Sequence, residues 1–430
     1  MDSKGQFGNK SDLFNPTELA FVPSWKFLYS PKLIKIDGKV WVETRLSTLL
    51  AKPPVMVAGM TPCTVAEPFV TACTKAGYHV ELAGGGHFNE KVLRDKIDLI
   101  IGKFAHDGCC SVTLNSLFLN PRLWAFQYPV IKKMRQEGYP IDGFTIAAGV
   151  PSFDSACEIV ESLRQAGIRH VSFKPGSTQS ILDVVKIAKA NPKMPVLLQW
   201  TGGRGGGHHS YEDFHGPIID TYSVIRSAGN IVLVAGSGFG DGEGSLPYLT
   251  GSWSRTFNLP EMPFDGILLG SRMMVAAENL ASKPVKELIV AASGITDESQ
   301  WVTSYKKPIG GVVTVRSELG EPIHKIATRG VLFWKELDET VFSLPPGEKR
   351  MAVIRKKRDY LIKRFNKDHQ KVWFGWSYSK GHPIDLSEMT YWEVSKRLGD
   401  LTYVWHQQRW IDVTHKKLLE LFLRRTEERF

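Results

Sequence analysis

The stretch from Gln199 to His209 sets five glycines around Arg204 and ends in two adjacent histidines, His208 and His209. An imidazole titrates near neutrality and can hand a proton to a developing carbanion. Neighbouring side chains diverge, so at most one of the two faces a ligand. His208, directly behind the glycines, is the candidate acid; His209 reads as a structural residue bonded to backbone near a helix start. His208, His209, Glu212, Asp213 and His215 crowd one stretch. Their spacing fits neither H-E-x-x-H nor a two-His-carboxylate set on one helical face, so no metal is expected. No G-x-S-x-G elbow occurs, and no Ser-His-Asp triad is defensible from the sequence.

Other glycine-rich or polar segments recur along the chain: Gly59-Met60-Thr61, Ala83-Gly84-Gly85-Gly86-His87, Asn115-Ser116, Lys174-Pro175-Gly176-Ser177, Gly236-Ser237-Gly238-Phe239-Gly240-Asp241 and Gly270-Ser271-Arg272. Glycines let the backbone approach a ligand closely and aim amides at it. One such loop is a tight turn; several gathered at one face favour a planar phosphorylated cofactor.

Each of these segments follows a short apolar run. The runs 55–58, 79–82, 111–114, 143–146, 170–173, 195–198, 231–234 and 266–269 read as eight strands. Helical spacing lies between them, as in 155–166 (Ala156, Ile159, Val160 and Leu163 on one face) and 180–190 (Ile181, Val184, Val185, Ala188). Eight β-α units in this length predict an α/β fold, a (β/α)₈ TIM barrel whose site lies at the carboxyl ends of its strands. Its seventh and eighth loops, here Gly236-Ser237-Gly238 and Gly270-Ser271, are the usual phosphate site of such a barrel. The G-x-G-x-x-G fingerprint of a dinucleotide fold is absent. The expected organisation is a lead-in over 1–50 packed under the barrel, the barrel over 51–280, and a mixed, then mainly α-helical, C-terminal extension over 281–430. Helices are expected there over 330–340, 347–367, 390–407 and 414–428.

The formal charge of +10 is uneven: residues 51–280 balance at 20 basic and 20 acidic, while 281–430 carry 27 against 19. No nucleic-acid-binding signature accompanies it, so no nucleic acid is expected. The basic run Arg350, Arg355, Lys356, Lys357, Arg358, Lys363 and Arg364 is a solvated face or a surface that steers an acidic partner. Five cysteines without a C-x-x-C pair imply reduced thiols and a cytoplasmic setting. The polar N-terminus and the lack of long apolar runs predict no membrane span.

Four motifs are specific enough to carry a resemblance: Pro54-Val55-Met56-Val57-Ala58-Gly59-Met60-Thr61-Pro62, His79 through His87, Gln199 through Ser210, and Ser317-Glu318-Leu319-Gly320-Glu321-Pro322-Ile323-His324-Lys325. Together with Trp373-Phe374-Gly375 and the segment His406 through Asp412, they closely resemble the enoyl reductase domain of the fungal type I fatty acid synthase β subunit, from about Trp25 to Phe430. Bacterial flavin-dependent enoyl reductases and nitronate monooxygenases are its more remote kin.

The resemblance implies an FMN-binding barrel in which NADPH reduces FMN and hydride then passes to the β-carbon of a trans-2-enoyl thioester, with protonation at the α-carbon. It places the catalytic His at His208 and cofactor contacts at Gly59, Met60, Thr61, Asn115, Lys174, Gly206, Gly207, Gly236, Ser237, Gly238, Gly270 and Ser271. The family's acyltransferase, dehydratase and malonyl/palmitoyl transferase regions have no counterpart here. The chain is therefore expected to be part of a β subunit or a stand-alone fragment of one, served by an acyl carrier protein and an α subunit. A nitronate monooxygenase-like flavoprotein and a non-catalytic scaffold module are the competing expectations.

Overall fold

A computed structural model describes residues 24–61, 63–104, 111–236, 238–316, 322–364, 374–377, 382–385, 388–404, 408–410 and 413–427. Eight parallel strands close into a barrel: β1 (Val55–Val57), β2 (His79–Ala83), β3 (Val112–Leu117), β4 (Ile141–Ala147), β5 (His170–Phe173), β6 (Val196–Trp200), β7 (Ile231–Ala235) and β8 (Gly266–Leu269). They neighbour one another in chain order, and β8 pairs back onto β1 through Ile267 with Val55. Each expected strand is a barrel strand. The runs are apolar without alternation because most of these strands are buried on both faces.

The outward faces pack on the surrounding helices. The helices Phe153–Gln165 and Thr178–Ala190 bury the apolar positions their spacing predicts. The second starts cleanly because Ser177 and Ser180 form a reciprocal cap.

The barrel interior is divided. Met56, Leu197, Val232, Val234 and Leu268 form an apolar cluster closed from below by Leu46. Leu46 comes from the helix Arg45–Leu50, whose N-cap Thr44 also donates its hydroxyl to the Asp265 carbonyl at 2.6 Å. Only glycine leaves room for Leu46 at position 266, beside the start of β1. The lead-in therefore plugs the amino end of the barrel; a hairpin, Lys32–Ile36 with Lys39–Glu43, precedes it. The rest of the interior is polar and buried, with His79, Glu81, Thr113, Asn115, Thr145, His170, Ser172 and Gln199.

Beyond the barrel, helices Lys283–Ala291 and Glu298–Ser304 lead to a hairpin of Val312–Arg316 with Pro322–Ile326. Helices Arg329–Leu337, Glu348–Lys356, Arg358–Arg364, Tyr391–Thr402 and Val413–Glu427 follow. The helix expected over 347–367 is two helices meeting at Lys357, which leaves the helical backbone conformation (φ −96°, ψ 7°). The helix expected to reach residue 407 ends at Thr402, and Tyr403–Val404 then pairs with Arg409–Trp410. Ser317–Glu321, Trp373, Trp405, His406 and Gln407 lie outside the described residues. Among the described residues no helix is long and apolar enough to cross a membrane.

Candidate active site at the barrel mouth

A buried carboxylate organises the polar side of the barrel. Glu81, from β2, accepts hydrogen bonds from the Gly59 amide (2.9 Å), Asn115 Nδ2 (2.7 Å), Thr145 Oγ1 (2.8 Å), Gln199 Nε2 (2.6 Å) and Lys174 Nζ (3.0 Å). These donors come from β3, β4 and β6 and from the loops after β1 and β5. Burial by itself would raise the Glu81 pKa, but the Lys174 charge and the bonds from Gln199, Asn115 and Gly59 outweigh it and hold the pKa at about 2. Lys174 is only 21% exposed, so its ammonium stands at the mouth on a fixed anion below. Gly59 approaches so closely that a Cβ there would sit 2.6 Å from Asn115 Nδ2. Three expected site residues, Gly59, Asn115 and Lys174, thus meet on one anion.

The loop after β6 is closed at its base. The Ser210 amide donates to the Thr201 carbonyl (2.9 Å) and the Gly203 amide to the Glu212 carbonyl (2.9 Å). Arg204 grips Asp213 in a bidentate pair at 2.7 and 2.8 Å. Glu212 accepts from the Thr178 amide at 3.0 Å, and His215 Nε2 lies 2.9 Å from the Tyr248 hydroxyl. Glu212, Asp213 and His215 are thus each engaged by protein groups, and His215 Nδ1 also lies 4.0 Å from Asp213 Oδ2.

His208 and His209 diverge. His208 is exposed at the mouth. Protein closing around its ring, followed by the charges of Lys325 and Lys174, lowers its pKa below the usual imidazole value. His209 is buried, with Nδ1 2.8 Å from the Ser210 carbonyl, and it stacks on His324 with ring centroids 3.8 Å apart. The two-residue strand Gly207–His208 is the third strand of the extension's sheet, with Ile323 opposite His208 and His324 opposite Gly207. The hairpin of the C-terminal extension therefore holds the candidate catalytic loop from above.

The glycines separate into two kinds. Cβ atoms at Gly202, Gly203, Gly206 and Gly236 would press on Phe214, Trp301, Ser271 and Thr201 respectively, so protein packing alone already excludes a side chain there, and only their backbone is left for a ligand. The contact between Gly206 and Ser271 brings the sixth and eighth loops together. Gly270 and Gly207 have nothing within 4 Å of a Cβ, and Gly207 (φ +80°) and Gly238 (φ +73°) are left-handed. After β7, the helix Gly242–Thr250 is already capped by the Asp241 carboxylate. The short 3₁₀ turn Ser271–Val275 after β8 begins without a side-chain cap. Met60 gives its amide to Thr64 Oγ1 at 2.7 Å, while Thr61 is exposed with its hydroxyl facing Gly85. Ser237 lies outside the described residues.

Three residues of this site escape the sequence reading. Glu81 looks like one more position inside an apolar strand, and its charge is the signal that could have marked it. Arg272, beside Gly240 and 3.7 Å from Asp241, brings a cation to the seventh and eighth loops. His324 is more than a hundred residues from His209 in the chain, and only the fold joins them.

The model of the family described as fatty acid synthase subunit beta/Fas1-like, helical, matches residues 195–430, more than half of the chain. The chain is 52% identical over 429 residues to the fatty acid synthase beta subunit pigK of Monascus ruber, covering 99% of this chain and 21% of that one. It is 51% identical over 438 residues to the fatty acid synthase subunit beta of Schizosaccharomyces pombe, covering 98% and 21%. The chain thus spans about a fifth of the length of these relatives. Among solved structures, the enoyl reductase domain of MlnA from the macrolactin biosynthesis cluster of Bacillus amyloliquefaciens shares the fold. Its TM-score is 0.50 at 11% identity, over 89% of this chain and 84% of that one. The barrel, its helical extension and the sequence match lead to one assignment: the chain belongs to the fatty acid synthase subunit beta/Fas1-like family.

Proposed function

We propose that the chain is the enoyl reductase unit of a fatty acid synthase β subunit, reducing trans-2-enoyl thioesters to saturated acyl thioesters with NADPH through FMN. The observation that carries this reading is the convergence of His208, on a loop fixed from both sides, and Lys174, on its buried anion, at the carboxyl mouth of a closed parallel barrel. Within it, residues 51–280 form the barrel unit and 281–430 an extension that completes its site.

Groups inside and at the carboxyl end of the barrel would serve a flavin mononucleotide. Gln199 Oε1 and Ser172 Oγ are buried without a hydrogen-bond partner among the described residues, and Gly270 leaves open space where a side chain would stand. Gly236, Ser237, Gly238, Gly270 and Ser271, with Arg272, would hold the phosphate. Gly59, Met60, Thr61, Asn115, Lys174, Gly206 and Gly207 would line the ring and ribityl chain. Bound there, FMN would supply the two-electron relay between NADPH and the enoyl β-carbon.

The protein's own part is to place charge and move a proton. Hydride addition at the β-carbon leaves negative charge on the thioester oxygen and requires a proton at the α-carbon. His208 is the proton donor, and the glycine-loop amides stabilise the oxygen. Lys174, paired with the buried Glu81, presents the positive end of that ion pair at the mouth without leaving a lone charge buried. The thioester arrives on an acyl carrier protein, and an α subunit completes the synthase. A cytoplasmic setting follows, in keeping with the free thiols of Cys63, Cys73 and Cys157.

The test is an absorption spectrum of the purified protein, then anaerobic NADPH addition and reoxidation by a crotonyl thioester. Flavin bands that bleach with NADPH and return with the thioester are expected. A colourless protein that takes up no FMN, or a reduced one that only oxygen reoxidises, overturns the reading.

A further inference from the structure

We infer that His324, on the hairpin of the C-terminal extension, is a positioning residue for the loop that carries His208. This rests on the reading of His208 as the acid, and its structural half stands on geometry alone.

The His324 ring joins three layers. Its Nε2 lies 2.7 Å from the Gly203 carbonyl, which can only accept, so Nε2 carries the hydrogen. Its Nδ1 lies 2.7 Å from Thr314 Oγ1 and, in the neutral ring, accepts the threonine hydrogen. Thr314 in turn accepts from the hydroxyl of Ser304, whose oxygen also lies 2.6 Å from the Trp301 carbonyl. This chain, from the helix Glu298–Ser304 through both hairpin strands to the glycine loop, is buried at Ser304, Thr314 and His324.

The same ring supports the loop's far end. It stacks on His209, while Trp301 meets His209 edge-on at 5.4 Å. Trp301 also lies against Gly203, where a Cβ would be 2.7 Å from its ring. Trp301, Ile295 and Val312 form the small apolar cluster under the hairpin. His324 thus holds Gly203 through a hydrogen bond, His209 through a face, and Gly207 through its backbone neighbours. His208 lies inside this frame with its own side chain exposed. A five-glycine loop has large conformational freedom, and these attachments remove it. The site loop is consequently finished by residues outside the barrel.

The test compares amide hydrogen exchange and turnover in the wild-type chain with His324→Ala, His324→Gln and Thr314→Val. In His324→Ala, amides of 202–210 are expected to exchange about tenfold faster while β1–β8 keep their protection. For the thioester, kcat falls roughly 10- to 100-fold with little change in KM, the scale of a small misplacement of a reacting group. His324→Gln, whose amide can reach the Gly203 carbonyl, should restore most of both. Unchanged exchange over 202–210 in His324→Ala overturns the inference. Should that variant lose protection throughout, Thr314→Val decides: faster exchange confined to 202–210 supports the inference, and unchanged exchange there overturns it. A wild type that reduces no enoyl thioester refutes the functional reading instead, and the exchange arm still judges His324.

Discussion

Lys174 Nζ stands 3.0 Å from Glu81 Oε2, an ion pair whose carboxylate is wholly buried and whose ammonium reaches the barrel mouth. Five donors converge on that carboxylate, and none would tolerate another donor in its place. Glu81→Gln brings an NH₂ group against either Gly59, Asn115 and Lys174 or Thr145 and Gln199, and leaves the ammonium unbalanced. Removing one member of a buried pair costs about 3 kcal/mol or more. Urea denaturation should show a loss of that order, and a loss below about 0.5 kcal/mol would mean that the network is not organised by the charge.

His208 and His209 should separate cleanly on substitution. His208→Ala is expected to keep its bound flavin and fold while losing enoyl reduction by about 100-fold or more, the usual range for a general acid. His209→Ala should instead lower thermal stability, because it removes the buried stacking partner of His324. Undiminished turnover in His208→Ala would sink the assignment.

The pH dependence of that step follows from the charges around His208. Its pKa is lowered by the protein around the ring, then by Lys325 and Lys174. Reduction that needs the protonated ring should therefore slow as pH rises through that lowered value. Lys325→Met removes one opposing cation, so the falling limb should move to higher pH. A profile identical to the wild type would exclude His208 as the titrating acid.

Much of this site was readable from residue type and order. Strand runs followed by glycines locate the barrel and its mouth because both-face burial makes the runs apolar and the fold puts every βα loop on one end. The helix faces of Ala156, Ile159, Val160 and Leu163 follow from period alone. Long-range pairing is what the sequence does not show. Nothing local joins Ile323 to His208 or His324 to His209, because a cross-strand contact depends on where two distant segments are brought by everything between them. The reading of the glycines as one cofactor cradle also divides, since Gly202 and Gly203 are small to admit Phe214 and Trp301. The basic run divides likewise. Arg350 bonds to the Phe342 and Leu344 carbonyls, Arg355 pairs with Glu348, and Arg358 pairs with Glu388. Lys356 and Lys363 are exposed and are the cations of that run to test for carrier-protein steering.

Two imidazoles deep in the barrel give the fold an acid limit. Burial, then the neighbouring His170, holds His79 at about 3, and burial holds His170 at about 4. Both values are below the unfolded value of about 6.5. Below that pH the unfolded chain binds protons that the folded chain refuses, so stability is complete above about pH 6.5 and falls as pH drops toward the folded values. Each such group adds up to about 1.4 kcal/mol per pH unit in that window. Urea midpoints measured from pH 7 to 5 should fall less steeply in His170→Gln than in the wild type. Equal slopes would show that the ring is protonated inside the barrel.

Arg272 offers the sharpest discrimination at the seventh and eighth loops. Its guanidinium is 59% exposed and lies 3.7 Å from an equally exposed Asp241, so its pairing with that carboxylate is weak. A phosphate at Gly270 and Ser271 would compete well for it, because guanidinium matches phosphate in a bidentate geometry. Arg272→Glu should raise the FMN dissociation constant by about tenfold or more, from the loss of a charge-assisted bond of about 1.5 kcal/mol or greater. Riboflavin has the same ring and no phosphate, so its affinity should hardly change. Flavin fluorescence titrations of both ligands against wild type and variant make the comparison. Equal weakening of riboflavin would place Arg272 at the ring, and no weakening of either would remove the phosphate from these loops.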